Sequence, residues 1–161
     1  MSQGIIQLFR PAKKILSLFL GFLMVIFGFL KFFNPIDGWF NVQIQQSHLP
    51  HSAILMGKLA EIMTGLLFLL PRFRPWQAKW EGRILLIACS SLFLEMVVAV
   101  YVHLQPGVPP EVLPLGIKPP VIPLFVILLG VMVAIPAWKD SQTTQPETPV
   151  DFVTRSSSPL P

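Results

Sequence analysis

The sequence predicts an all-α protein: a bundle of four transmembrane helices with a short interfacial helix between the first and second spans. Three observations predict it. Hydrophobic residues make up 53% of the chain and charged residues only 12%, well below the charged share of about 25% in soluble domains. Four apolar runs stand apart, each near the ~20 residues that cross a bilayer core of roughly 30 Å. Lysines and arginines gather at the ends of those runs rather than in a stripe. The net charge of +4 therefore reads as a topology signal, not as a nucleic-acid footprint.

The first span covers about residues 12–33. Its stretch from Leu16 to Phe33 holds eighteen residues with one formal charge, Lys31. An ammonium at membrane depth costs ~2.5–3.5 kcal/mol on insertion scales unless it snorkels or finds a partner. Gly21, Gly28 and Lys31 share one helix face, and small residues let a neighbouring helix approach closely. Lys31 should thus point at a partner helix. Residues 1–11 are expected to form a cytoplasmic lead, with Ile5, Ile6, Leu8 and Phe9 suited to the membrane surface. The basic flank followed by apolar residues resembles a signal peptide. The run is too long for one, however, and lacks an A-x-A-like site before Asn34, so it reads as an uncleaved helix.

Asn34-Pro35 is expected to end that helix, because Pro lacks an amide donor and restricts its predecessor. In the connector 34–52, Ile36, Trp39, Phe40 and Ile44 recur at helical spacing. This predicts a short helix in the interface, its Trp at headgroup depth. His48 and His51 lie three residues apart but have no third ligand nearby. They read as solvated loop residues rather than as a metal site.

The second span is expected at about 53–70, closed by Pro71. Gly57, Glu61 and Gly65 follow one face, and Lys58 lies three residues from Glu61, close enough for an intrahelical pair. The loop 71–83 is basic and aromatic, with Arg72, Arg74, Lys79, Arg83, Trp76 and Trp80. The third span follows at about 83–103, where Ala88, Ser91, Glu95 and Ala99 share a face that His103 continues. Six prolines between Pro106 and Pro120 exclude a regular helix and predict an extended, stiff connector. The fourth span, about 120–138, is uncharged, with Gly130 as its small contact point. Residues 139–161 are rich in Ser, Thr and Pro and read as a disordered cytoplasmic tail.

Orientation follows from the basic residues. Three lie at the start of the first span, four in the loop between the second and third, and one after the fourth. The long connectors carry only Lys118 outside the spans. Both termini are therefore expected to be cytoplasmic. In that frame Lys31, Lys58, Glu61, Glu95 and His103 fall in the same, non-cytoplasmic half of the bundle. They predict a polar pocket, since intramembrane ionisable groups are candidate sites by default. Lys31 and Glu61 serve equally well as a structural staple between helices. Glu95 has no cation local in sequence and is the stronger candidate for ligand or proton handling. His103 either joins the pocket or bonds the connector. The single cysteine, Cys89, permits no internal disulfide. No metal-ligand spacing, nucleophile elbow or phosphate loop occurs. The sequence thus leans away from an enzyme and implies no intrinsic cofactor.

GFLMVIFGFLKF with its Gly28-x-x-Lys31 ending, GKLAEIMTGLLFLLP with its Gly57-x-x-x-Glu61 centre, and the connector opening His103-Leu-Gln-Pro together resemble DoxX-type small membrane proteins. The resemblance covers residues 15 to about 137. It implies a bacterial four-helix protein of the inner membrane, associated with quinol-linked oxidase or thiosulfate–quinone chemistry. Wider relatives include an assembly chaperone for acetylcholine receptors. Lys31 and Glu61 match the family's recurring polar pair. The leading expectation is an accessory or assembly subunit that packs in the bilayer against other membrane subunits or its own copies. The alternatives are a quinone-interacting redox subunit, whose pocket binds a quinone or a lipid, and a small proton-coupled carrier. The redox alternative needs a partner for the redox centre, because no haem, iron–sulfur or flavin pattern is present.

Overall fold

In the computed structural model, backbone is described for residues 3–73 and 77–142, with side chains from residue 12 onward. Five helices follow in order: α1 Gln3–Leu30, α2 Ile36–Gln46, α3 Ser52–Phe73, α4 Ala78–Leu104 and α5 Val121–Gln142. No strand occurs among the described residues. α1, α3, α4 and α5 are each long and apolar enough to cross a membrane.

These four pack as a closed ring, α1 on α3, α3 on α4, α4 on α5 and α5 back on α1. Their apolar residues divide between a narrow core and a wide perimeter. Leu20 of α1, Phe68 of α3, Leu85 and Leu92 of α4 and Val133 of α5 fill the centre. Phe22, Leu66, Phe93 and Leu128, one from each helix, face outward. A soluble monomer rarely exposes apolar patches of more than a few hundred Å². A bilayer is the solvent that matches this perimeter.

Several element ends differ from expectation. α1 extends backward through residues 3–11, so the expected lead is a continuation of the helix. Its α-helical part stops at Leu30, and Phe32 and Phe33 continue it in tighter turns, their amides bonded to the carbonyls of Phe29 and Leu30. Pro71 does not close the second span but lies buried inside α3, two residues from its end. Neighbouring helices tolerate such a proline, because packing replaces what one lost hydrogen bond contributes. α5 likewise runs through Pro136 to Gln142, so residues 139–142 are helical. The rest of the expected tail, 143–161, and loop residues 74–76 lie outside the described residues.

α2 forms where the Ile36/Phe40/Ile44 spacing places it. Phe40 and Ile44 pack on Ile54 in the first turn of α3, and Trp39 remains exposed. The proline-rich connector is not extended. It folds into two 3₁₀ turns, Pro110–Val112 and Pro114–Gly116. A proline begins each turn, where its fixed φ fits and its missing amide has no role. Val108 and Leu113 bury against Val102. Lys118 then draws the connector together, its Nζ donating to the carbonyls of Gln105, at 2.5 Å, and Val108.

Candidate functional site

The polar groups of the spans gather at two levels. At the end where the first helix begins and the last one finishes, here the terminal end, Lys13 of α1 bonds Glu81 of α4 at 2.9 Å and Asp140 of α5 at 2.6 Å. Glu81 also accepts from Arg72 of α3 at 3.2 Å. One ionic network thus laces all four spanning helices. It went unseen in the sequence because its members look like ordinary flanking charges. Helix packing alone brings residues 13, 72, 81 and 140 together.

The second level, toward the connector end, is a stripe along one face of α3 built from Lys58, Glu61 and Thr64. Positions three apart share a helix face, so the stripe rises in regular steps of ~4.5 Å. Each position meets a different element. Lys58 pairs with Asp37 of α2, Glu61 with Lys31 just past α1, and Thr64 with Glu95 of α4. The expected Lys58–Glu61 pair within α3 is therefore corrected. Each lysine reaches instead to a carboxylate on another element. Aromatic faces support both cations: Lys31 Nζ lies 4.1 Å from the centroid of Phe40, and Lys58 Nζ lies 5.1 Å from that of Phe32. Asp37 was missed as a site residue. Its only signal was that it is the one Asp, Glu, Lys or Arg in the connector 34–52.

Small residues set how closely these elements meet. A Cβ on Gly65 would lie 2.7 Å from the carbonyl oxygen of Gly21, and one on Gly28 would lie 3.0 Å from Glu61 Cβ. The Gly21/Gly28 face of α1 thus abuts α3 and lets Lys31 reach Glu61. Gly57 instead faces the Phe40 ring of α2.

Glu95 differs from the other in-span carboxyls. Thr64 donates its hydroxyl to Glu95 Oε1 at 2.6 Å, and Ser91 Oγ lies 3.3 Å from the same oxygen and 2.7 Å from Thr64 Oγ1. Among the described residues no cation bonds Glu95, although Lys31 and Glu61 lie within electrostatic reach. Two carboxylate oxygens, Glu61 Oε2 and Glu95 Oε2, are buried without a hydrogen-bond partner.

His103 is placed apart from these groups. It is buried near the exit of α4, with Nδ1 3.2 Å from the Lys118 carbonyl. Its bond is to the connector. His48 and His51 are exposed, and no group of three potential metal ligands occurs among the described residues. Cys89 is buried, its thiol 3.5 Å from the Gly130 carbonyl. It borders an apolar groove of about 400 Å³ between α4 and α5, which also takes in Phe93 and Ile127. That groove touches none of the charged residues.

The pairs differ in expected weight. Lys31→Met should destabilise by about 2 kcal/mol, below the usual cost of breaking a fully buried pair because the Lys31 and Glu61 side chains are still 17% and 15% exposed. Adding Glu61→Met should recover most of it. Lys58→Met should cost under ~1 kcal/mol, because the Asp37 side chain is 34% exposed. Unfolding midpoints of the three variants in detergent check this order.

The fold and its apolar perimeter mark the class: an integral membrane protein with four candidate spans and a polar stripe in one half. No family model, curated protein or solved structure matches the chain.

Proposed function

We propose that this chain is a DoxX-like accessory subunit of a larger membrane electron-transfer complex, to which it contributes an ionisable pocket. One observation carries the reading. Among the described carboxyls of the spans, Glu95 alone has no ion-pair partner. The charges of Lys31, Lys58, Glu61 and Asp37 are engaged in ties between elements, which leaves Glu95 as the group available for chemistry. A carrier is supported less, since carriers place binding sites at broken helices and the four spans run unbroken. The terminal end carries Lys13, Lys14, Arg72, Lys79, Arg83 and Lys139, which supports a cytoplasmic side for both termini.

A quinone-interacting role is the second reading, favoured by the two carboxyl oxygens without a partner, Glu61 Oε2 and Glu95 Oε2. A quinone carbonyl accepts from a protonated carboxyl, and a quinol hydroxyl donates to an ionised one. Purification in a mild detergent tests both readings. Co-purifying subunits are expected, with a quinone recoverable by solvent extraction. A lone chain without quinone would overturn both. Glu95→Gln should preserve expression and assembly while lowering turnover of the host complex by about a hundredfold. Loss of the protein from the membrane would instead make Glu95 a fold element.

A further inference from the structure

We propose that Glu95 is held as a neutral carboxylic acid whose proton is shared with the Glu61 carboxylate, so that the pair stores one proton within the membrane. This deepens the reading of Glu95 as the group available for chemistry and rests on it.

The charge balance is the first argument. Lys31, Glu61 and Glu95 bring one cation and two carboxyls to the connector-side half. Lys31 is bonded to Glu61. A second ionised carboxylate at that depth has no cation bonded to it, and such a group neutralises rather than stays charged.

Hydrogen bonding is the second. Glu95 Oε1 collects the hydroxyls of Thr64 and Ser91, as the carbonyl oxygen of an acid would, and Oε2 is buried with no donor. That is the oxygen expected to carry the hydrogen. Glu61 shows the complementary pattern, with Oε1 receiving Lys31 and Oε2 buried and without a donor. One orphan oxygen calls for an acceptor once protonated, and the other is an acceptor without a donor. Glu61 lies one turn before Thr64, on the face of α3 that meets Glu95.

The surroundings are otherwise uncharged at this level. The turn after α1 contributes Lys31, α3 contributes Glu61 and, one turn outward, Lys58, and α4 contributes Ser91. From α5, the stretch Val121 to Trp138 brings no charge. Outward along the stripe the side chain of Glu61 is 15% exposed, that of Lys58 8% and that of Asp37 34%, so Asp37 is the member of the stripe most open to solvent.

Dicyclohexylcarbodiimide, an apolar reagent that reacts with protonated carboxyls, tests the proposal on the purified full-length chain. Labelling is mapped by mass spectrometry from about pH 5 to about pH 9. Label is expected on Glu95, fading as pH rises, and lost in Glu95→Gln. In Glu61→Gln the fading should move about one unit to lower pH, because removing a neighbouring negative charge eases proton loss. Infrared spectra supply a second readout, a protonated-carboxyl C=O band that vanishes in Glu95→Gln. Absence of both label and band overturns the neutral acid. A fading pH unmoved by Glu61→Gln overturns the sharing. Co-purifying partners without label or band would leave the subunit reading standing and remove only the stored proton; label without partners would do the reverse.

Discussion

Lys13→Met should lower the stability of the folded bundle by about 3 kcal/mol, the low end of the range for removing one member of a buried ion pair. The Lys13 side chain is 6% exposed, against 17% for Glu81 and 20% for Asp140. Removing it leaves two carboxylates facing an emptied position. Glu81 retains Arg72, but Asp140 loses the partner that ties α5 to α1. The low end applies because both carboxylates retain some contact with water. Lys13→Met combined with Glu81→Gln and Asp140→Asn should recover most of the loss, since it removes the stranded charges too. Thermal unfolding in detergent micelles reads the difference. An unchanged midpoint for the single variant would show that the network is ornamental.

Gly65→Leu should be at least as disruptive, through geometry rather than charge. At this position even a Cβ meets backbone, the Gly21 oxygen and the Val25 nitrogen, each at 2.7 Å. Backbone cannot rotate aside as a side chain can, so α1 and α3 must separate. Overpacking of a single methyl costs about 1–3 kcal/mol, and a leucine adds three more carbons to the same seam. Separation would also draw Lys31 from Glu61, so the variant should lose the ion pair together with stability. Gly38→Ala in α2 is the control. Nothing lies within 4 Å of its Cβ, and alanine's helix propensity should leave stability unchanged or raise it by up to ~1 kcal/mol. Equal losses in the two variants would sink the close-approach argument.

The accessory role proposed above is one that the residues alone do not supply, and the experiments on partners and quinone decide it. The polar stripe stands independently of that role. Its ion pairs are a property of this chain's own packing and are open to test in the isolated protein.

Much of the architecture was legible because hydrophobic periodicity and length report local facts. The four spans and the interfacial α2 follow from runs of apolar residues and from the spacing of Ile36, Phe40 and Ile44. The Gly21/Gly28 face was readable as a contact surface for the same reason. Proline was the weaker guide. Pro71 was expected to close the second span, yet it sits inside α3, and Pro110 and Pro114 begin compact turns instead of an extended strap.

The sequence by itself determined which segments are apolar helices, where small residues admit a neighbour, and which ionisable groups enter the membrane. Only the tertiary structure decided who meets whom. Lys58 takes Asp37 rather than the nearer Glu61, Glu95 meets hydroxyls rather than a cation, and Lys13 gathers Glu81 and Asp140 from the far end of the chain. The physical reason is that helix formation depends on residues within about a turn of one another. An ion pair within a few ångströms depends instead on how separate helices rotate and cross, and residues distant along the chain set that.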